Sequence, residues 1–146
     1  MTRWLYLEPA TEAEVRAWIE GVIARPPEMG VARAVELRET GELVGHLTLT
    51  VTPEHRSGEI GFIFHPDHQG KGYATESARA LIAYAFEYYD LHRVSGRLEP
   101  RNGASTRVLE KLGMRREGLL IENEWVKGEW QSEAIYALLA REWAER

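Results

Sequence analysis

At 146 residues the chain has the length of one domain, a size that buries enough surface to need neither a disulfide nor a metal to hold a core. Hydrophobic residues at 44% and charged residues at 28% give an ordinary globular balance, and the lack of cysteine excludes a disulfide framework, thiolate metal sites and a cysteine nucleophile. A net charge of −5 with no basic stripe argues against nucleic acid, no apolar run approaches the ~20 residues of a membrane span, and Met1-Thr2-Arg3-Trp4 carries no signal-peptide pattern, so a cytoplasmic location is expected.

No repeat, low-complexity tract or linker interrupts the chain, so residues 1–146 read as a single domain. Thr11 to Ala24 predicts a helix, with Thr11 as its cap, Glu14 completing a capping box, and Val15, Trp18, Ile19 and Val22 recurring on one face. Pro26-Pro27 ends it. Three strands follow, Val31–Arg38, Leu43–Val51 and Glu59–His65, separated by turns at Glu39–Glu42 and Pro53–Gly58. Turns this short imply an antiparallel meander.

A long helix then spans Thr75 to Tyr89, with Ala78, Leu81, Ile82, Ala85, Phe86 and Tyr89 as its apolar stripe. Val94–Leu98 is a short strand. Ala104–Leu112 is a helix with Val108, Leu109 and Leu112 inward, closed by Gly113 at a left-handed C-cap. Gly118–Leu139 reads as two strands around the Lys127-Gly128 turn. The order predicts an α+β domain built on one mixed sheet.

The chemistry concentrates between Phe62 and Thr75, where a strand passes through a glycine-rich loop into the longest helix. A helix start leaves backbone N–H groups unpaired and carries partial positive charge, and glycines let an anion approach those amides, so this segment reads as a phosphate site. It is not a P-loop, and Gly70-Lys71-Gly72-Tyr73-Ala74-Thr75 departs from the dinucleotide fingerprint at its last position. A dinucleotide fold also needs a parallel βαβ unit, which the turns at Thr40-Gly41 and Arg56–Gly58 speak against.

Gln69-Gly70-Lys71-Gly72-Tyr73-Ala74 resembles the pyrophosphate loop, Q/R-x-x-G-x-G/A, of the GNAT superfamily of N-acetyltransferases, and more narrowly the branch of ribosomal-protein N-terminal acetyltransferases. Gly58–Phe62 resembles that branch's strand before the loop. Asn102, Ser105, Arg107–Met114 and Glu117-Gly118 resemble its second motif, with Met114 where an aromatic is usual. Gly128-Glu129-Trp130, Tyr136 and Glu142-Trp143 resemble its last strand pair, so the likeness runs in order from about Gly41 to Trp143.

The resemblance implies a GNAT-like fold: a mixed, mostly antiparallel single sheet, helices on both faces, and two neighbouring parallel strands that splay, Glu59–His65 and Val94–Leu98. It implies acetyl-coenzyme A as acyl donor, with no metal. Gln69, Gly70, Lys71, Gly72, Tyr73, Ala74 and Thr75 would hold the pyrophosphate, and Ile63, Phe64 or His65 the pantetheine amides. One free strand N–H would polarise the thioester carbonyl, worth about 3 kcal/mol on the scale of oxyanion donors. Glu59 is the expected general base, Ser105 the group that protonates or orients the leaving thiolate, and Asn102 a pantetheine or water ligand. The acceptor would be an amine, on a protein N-terminus or a small molecule.

Plainer readings compete. Glu59 can be an exposed strand carboxylate, Asn102 only a helix cap, and Ser105 structural. His46, His55, His65, His68 and His92 make no helical metal pair and read as surface or loop histidines. Relatives of the branch usually begin with a strand and helix before the region resembling residues 1–6, and this chain starts after both. A shortened edge predicts a homodimer, through that edge or the last hairpin. A non-catalytic coenzyme A-binding or sensing domain is the alternative function, and a nucleotide-binding module of another class is the third.

Overall fold

The computed structural model describes residues 11–146. The expected beginning of the fold before residue 11 lies outside the described residues.

Helix α1 (Glu12–Ile23) starts on the predicted capping box: Thr11 Oγ accepts from the Glu14 N–H at 3.2 Å, and Glu14 accepts from the Thr11 N–H at 2.6 Å. Its apolar stripe departs from expectation. Val15, Trp18 and Ile19 are 43–46% exposed, and no residue of α1 is buried among the described ones. Period alone located the helix but not a partner for its face.

The meander forms as β1 (Gly30–Glu36), β2 (Leu43–Thr52) and β3 (Ser57–Phe64), each pair antiparallel. Helix α2 (Tyr73–Tyr88) buries Ala78, Leu81, Ile82 and Ala85, the centre of the predicted stripe. Next come β4 (Arg93–Leu98), α3 (Gly103–Lys111), β5 (Arg115–Val126), β6 (Glu129–Leu139) and a short α4 (Ala140–Ala144) that the periodicity did not suggest. Five-residue helices are too short to show a period.

The six strands form one sheet in the order β1-β2-β3-β4-β6-β5. Among the described residues only β3 and β4 run parallel; α2 is the crossover that joins them. Along β3, alternate residues face opposite sides. A methyl on Gly96 would touch Leu109 of α3 and Ile60, and α3 packs on α2, so Ile60 and Leu49 face those helices. Glu59, Gly61, Thr48 and Thr50 therefore face the other side, where Trp18 of α1 meets His46 with ring centres 5.5 Å apart. Helices on both faces are as expected. The buried core, including Leu49, Ile82, Val94, Leu109 and Leu138, lies under α2 and α3.

Among the described residues β1 and β5 are the edges of the sheet. Leu119, Leu120 and Ile121 of β5 and the Trp125–Trp130 pair of the last hairpin are exposed. No helix among the described residues is long and apolar enough to cross a membrane.

Candidate active site

The sheet opens between β3 and β4. β3 and β4 pair from Ser57 and Arg93 only as far as Ile60 and Gly96, although β3 runs on to Phe64. On its other side β3 stays paired with β2 throughout, without a register shift. The His65 N–H donates to the Val44 carbonyl at 2.8 Å. Antiparallel strands turn successive N–H groups to opposite sides. Gly61, Ile63 and His65 thus direct their N–H groups to β2, and Phe62 and Phe64 direct theirs into the gap toward β4. Of the three pantetheine ligands expected from the sequence, Phe64 keeps its amide free among the described residues. Ile63 and His65 spend theirs on the sheet, and Phe62, not among the expected ligands, also turns its N–H to the gap.

The loop beyond β3 is held by its own residues. His65 caps the Pro66–His68 turn by accepting the Asp67 N–H on Nδ1 at 3.2 Å. The Gln69 side-chain amide donates to the Phe64 carbonyl at 3.3 Å. His68 places Nε2 3.0 Å from Glu42 in the β1–β2 turn, which ties the loop to the hairpin. Gly70 and Gly72 take φ of +78° and +84°, a region that side chains resist. A methyl at either would meet no atom within 4 Å, so the demand is on backbone conformation, and the space above the loop is open.

Gly72 is the N-cap of α2 and offers no side-chain acceptor. The first helical bond runs from the Glu76 N–H to the Gly72 carbonyl, leaving the N–H groups of Tyr73, Ala74 and Thr75 uncapped at the positive end of a 16-residue helix. This is the geometry that suits a pyrophosphate.

The gap and the loop share one groove of about 480 Å³. Phe62, Ile63 and Phe64 form its floor, Gln69, Gly70, Gly72, Tyr73, Ala74 and Thr75 one wall, and Asn102, Ser105 and neighbouring residues of α3 the other. Two predicted residues fall elsewhere. Lys71 is exposed beside the groove and does not line it. Arg107 and Lys111, one turn apart on α3 and not among the site residues expected from the sequence, do line the groove. Their i, i+4 spacing from Gly103 was the available signal. His65 likewise does not line the groove.

Asn102 does cap α3: its Oδ1 accepts the Ser105 N–H at 3.1 Å. The plainer reading of Asn102 therefore holds, with its residue still in the groove wall. Ser105 keeps its hydroxyl free of hydrogen bonds among the described residues and lines the groove.

Glu59 stands on the opposite face of the sheet, in a smaller cavity of about 380 Å³ with Thr50, Ser95 and Arg97. Arg97 bridges two carboxylates, Glu59 at 3.3 Å and Glu133 at 2.9 Å. Ser95 pairs directly with Glu59 across the closed end of the gap.

Residues 1–115 match the family model for an acetyltransferase (GNAT) domain. The chain belongs to the GNAT acetyltransferase family. The uncharacterized N-acetyltransferase YnaD of Bacillus subtilis is 40% identical over 109 residues, which cover 75% of this chain and 64% of that protein. The spermidine N(1)-acetyltransferase of Vibrio cholerae is 32% identical over 77 residues, 53% of this chain and 44% of that one. A crystal structure of a GNAT-family acetyltransferase from Bacillus anthracis superposes with a TM-score of 0.86 at 33% identity, over 97% of this chain and 82% of that chain.

Proposed function

We propose that the protein transfers an acetyl group from acetyl-coenzyme A to an amine, which attacks the thioester directly. The observation that carries this reading is the break in β3–β4 pairing after Ile60 and Gly96, which opens onto the groove under the α2 N-terminus. The donor supplies the activated acyl group. The N–H groups of Tyr73, Ala74 and Thr75 receive its pyrophosphate, and Arg107 and Lys111 flank the charged end. Phe64 and Phe62 offer amides along the gap, and the deeper of the two, Phe62, is placed to polarise the thioester carbonyl. Ser105, its hydroxyl uncommitted, gives a proton to the departing thiolate or orients it.

Glu59 lies on the face from which an acceptor approaches. With one carboxylate oxygen on Arg97, it fits the task of engaging the incoming amine. The amine is that of a protein N-terminus, as the branch resemblance suggests, or of a small molecule, as the spermidine-acting relative suggests.

The test is a melting-temperature series with acetyl-coenzyme A, coenzyme A, ATP and NADH. A ligand at about 100 times its Kd adds roughly 2.7 kcal/mol, a shift of several degrees for this size. Shifts confined to the two coenzyme A species, followed by thiol release with amines, support the reading. Binding without turnover across amines marks a coenzyme A sensor instead, and no shift at all sinks the donor assignment.

A further inference from the structure

We propose that His46 takes the proton from the acceptor amine during transfer, a role that rests on the reading of the chain as an N-acetyltransferase. His46 sits in β2 directly opposite Ile63, so it stands beside the open length of β3. It shares the acceptor face with Thr48 and Thr50, opposite the face covered by α2 and α3. Phe62, the deepest free amide of the gap, is the residue next to Ile63. Glu59 is three residues from Phe62, about 10 Å along the strand, and is tied to Arg97.

The surroundings of His46 favour its neutral imidazole. Trp18 of α1 covers it with ring centres 5.5 Å apart, Ala34 of β1 pairs with it on one side, and Ile63 of β3 on the other. None of these three titrates. Glu14, one turn from Trp18, is committed to the α1 capping box, and Glu36 further along β1 is exposed. Burial, with no charged partner among the described residues, pulls the His46 pKa below 6.5 and leaves the ring able to accept a proton at neutral pH. Neither ring nitrogen makes a hydrogen bond among the described residues, unlike His65 and His68.

The step balances. The amine lone pair forms the C–N bond, and the C–S bond breaks with its electron pair on sulfur. One N–H proton passes to His46, directly or through one water, and then to the thiolate or solvent, so the enzyme ends as it began.

Wild type, H46Q, H46N and E59Q are compared. Imidazole proton NMR, with the His46 signal assigned by its loss in H46Q, is recorded over about pH 5–9 with and without acetyl-coenzyme A. His46 is expected to titrate below the ordinary histidine value and its signal to shift when the donor binds. A His46 signal that titrates like a solvent histidine and ignores bound donor overturns the proposal. Loss of donor binding by the wild type itself sinks the function reading instead. With acetyl-coenzyme A and either spermidine or a serine-initiated peptide, both histidine variants are expected to lose about 100-fold in kcat, along with its acid limb. Their donor-induced melting shift should persist, which shows that they fold. If H46Q keeps the limb and E59Q loses it, the base is Glu59.

Discussion

Gln69 donates its side-chain amide to the carbonyl of Phe64, 3.3 Å away and half-buried, and so fastens the glycine loop to the last residue of the splayed strand. The residue that resembles a phosphate ligand in sequence thus works first on the loop itself. Q69A is expected to lose one hydrogen bond, about 1 kcal/mol, and to let Phe64 and the loop move apart. The KM for acetyl-coenzyme A should rise about fivefold with kcat nearly unchanged. A fall in kcat at constant KM would place Gln69 in the chemistry.

Gly72 separates backbone strain from crowding. At φ +84°, with no atom within 4 Å of where a methyl would sit, alanine there costs only conformation. G72A should lower stability by about 1 kcal/mol, a few degrees in Tm, and weaken acetyl-coenzyme A binding by turning the N–H groups of Tyr73 and Ala74. Calorimetric titration of the donor checks it, and unchanged affinity would remove the α2 N-terminus from the site.

Much of this was legible from the chain. Thr11 and Glu14 announced α1, and Gly70 and Gly72 marked the loop, because caps and positive φ angles are local demands that residue type satisfies. What residue type leaves open is which neighbour a strand keeps. Whether Ile63 or Phe62 has a free amide follows from the register of β3 on β2 and from where β3 leaves β4, the latter a contact between segments more than 30 residues apart. Arg107 and Lys111 were hidden for a similar reason: helical spacing puts them on one face, but only the packing of α3 against α2 turns that face to the groove. His46 looked like a surface histidine until Trp18 covered it.

Acid lability should trace in part to Glu117. Arg93 binds it with two guanidinium nitrogens, at 2.6 and 3.1 Å, and Arg115 adds a contact at 3.1 Å. The hydrogen bonds from Arg93, foremost, hold the Glu117 carboxyl below its ordinary value of 4.5. A carboxylate with a depressed folded-state pKa stabilises the fold above its unfolded value and loses that contribution as pH falls through the folded one. The stability gap between wild type and E117Q, about 1 kcal/mol for a pair about one third exposed, should be fully present above about pH 4.5 and close below it. A constant gap across that range would show that Glu117 is protonated alike in both states.

Asn102 and Ser105 are linked by one bond yet should fail in different ways. The Asn102 side chain accepts the Ser105 N–H at 3.1 Å, satisfying a free amide at the start of α3. N102A therefore removes a cap worth about 1 kcal/mol and lowers Tm by a few degrees. Its effect on turnover should follow from a looser α3 and appear mainly in the KM for acetyl-coenzyme A. S105A leaves that amide bond intact, since the backbone N–H is the donor, so Tm should stay within about one degree. What it deletes is the uncommitted hydroxyl in the groove wall. If that hydroxyl serves the departing thiolate, kcat drops about tenfold or more while the donor KM holds, and a donor with a better thiolate leaving group should recover much of the loss. An S105A enzyme with wild-type kcat would leave the serine as packing and return the thiolate's proton to solvent.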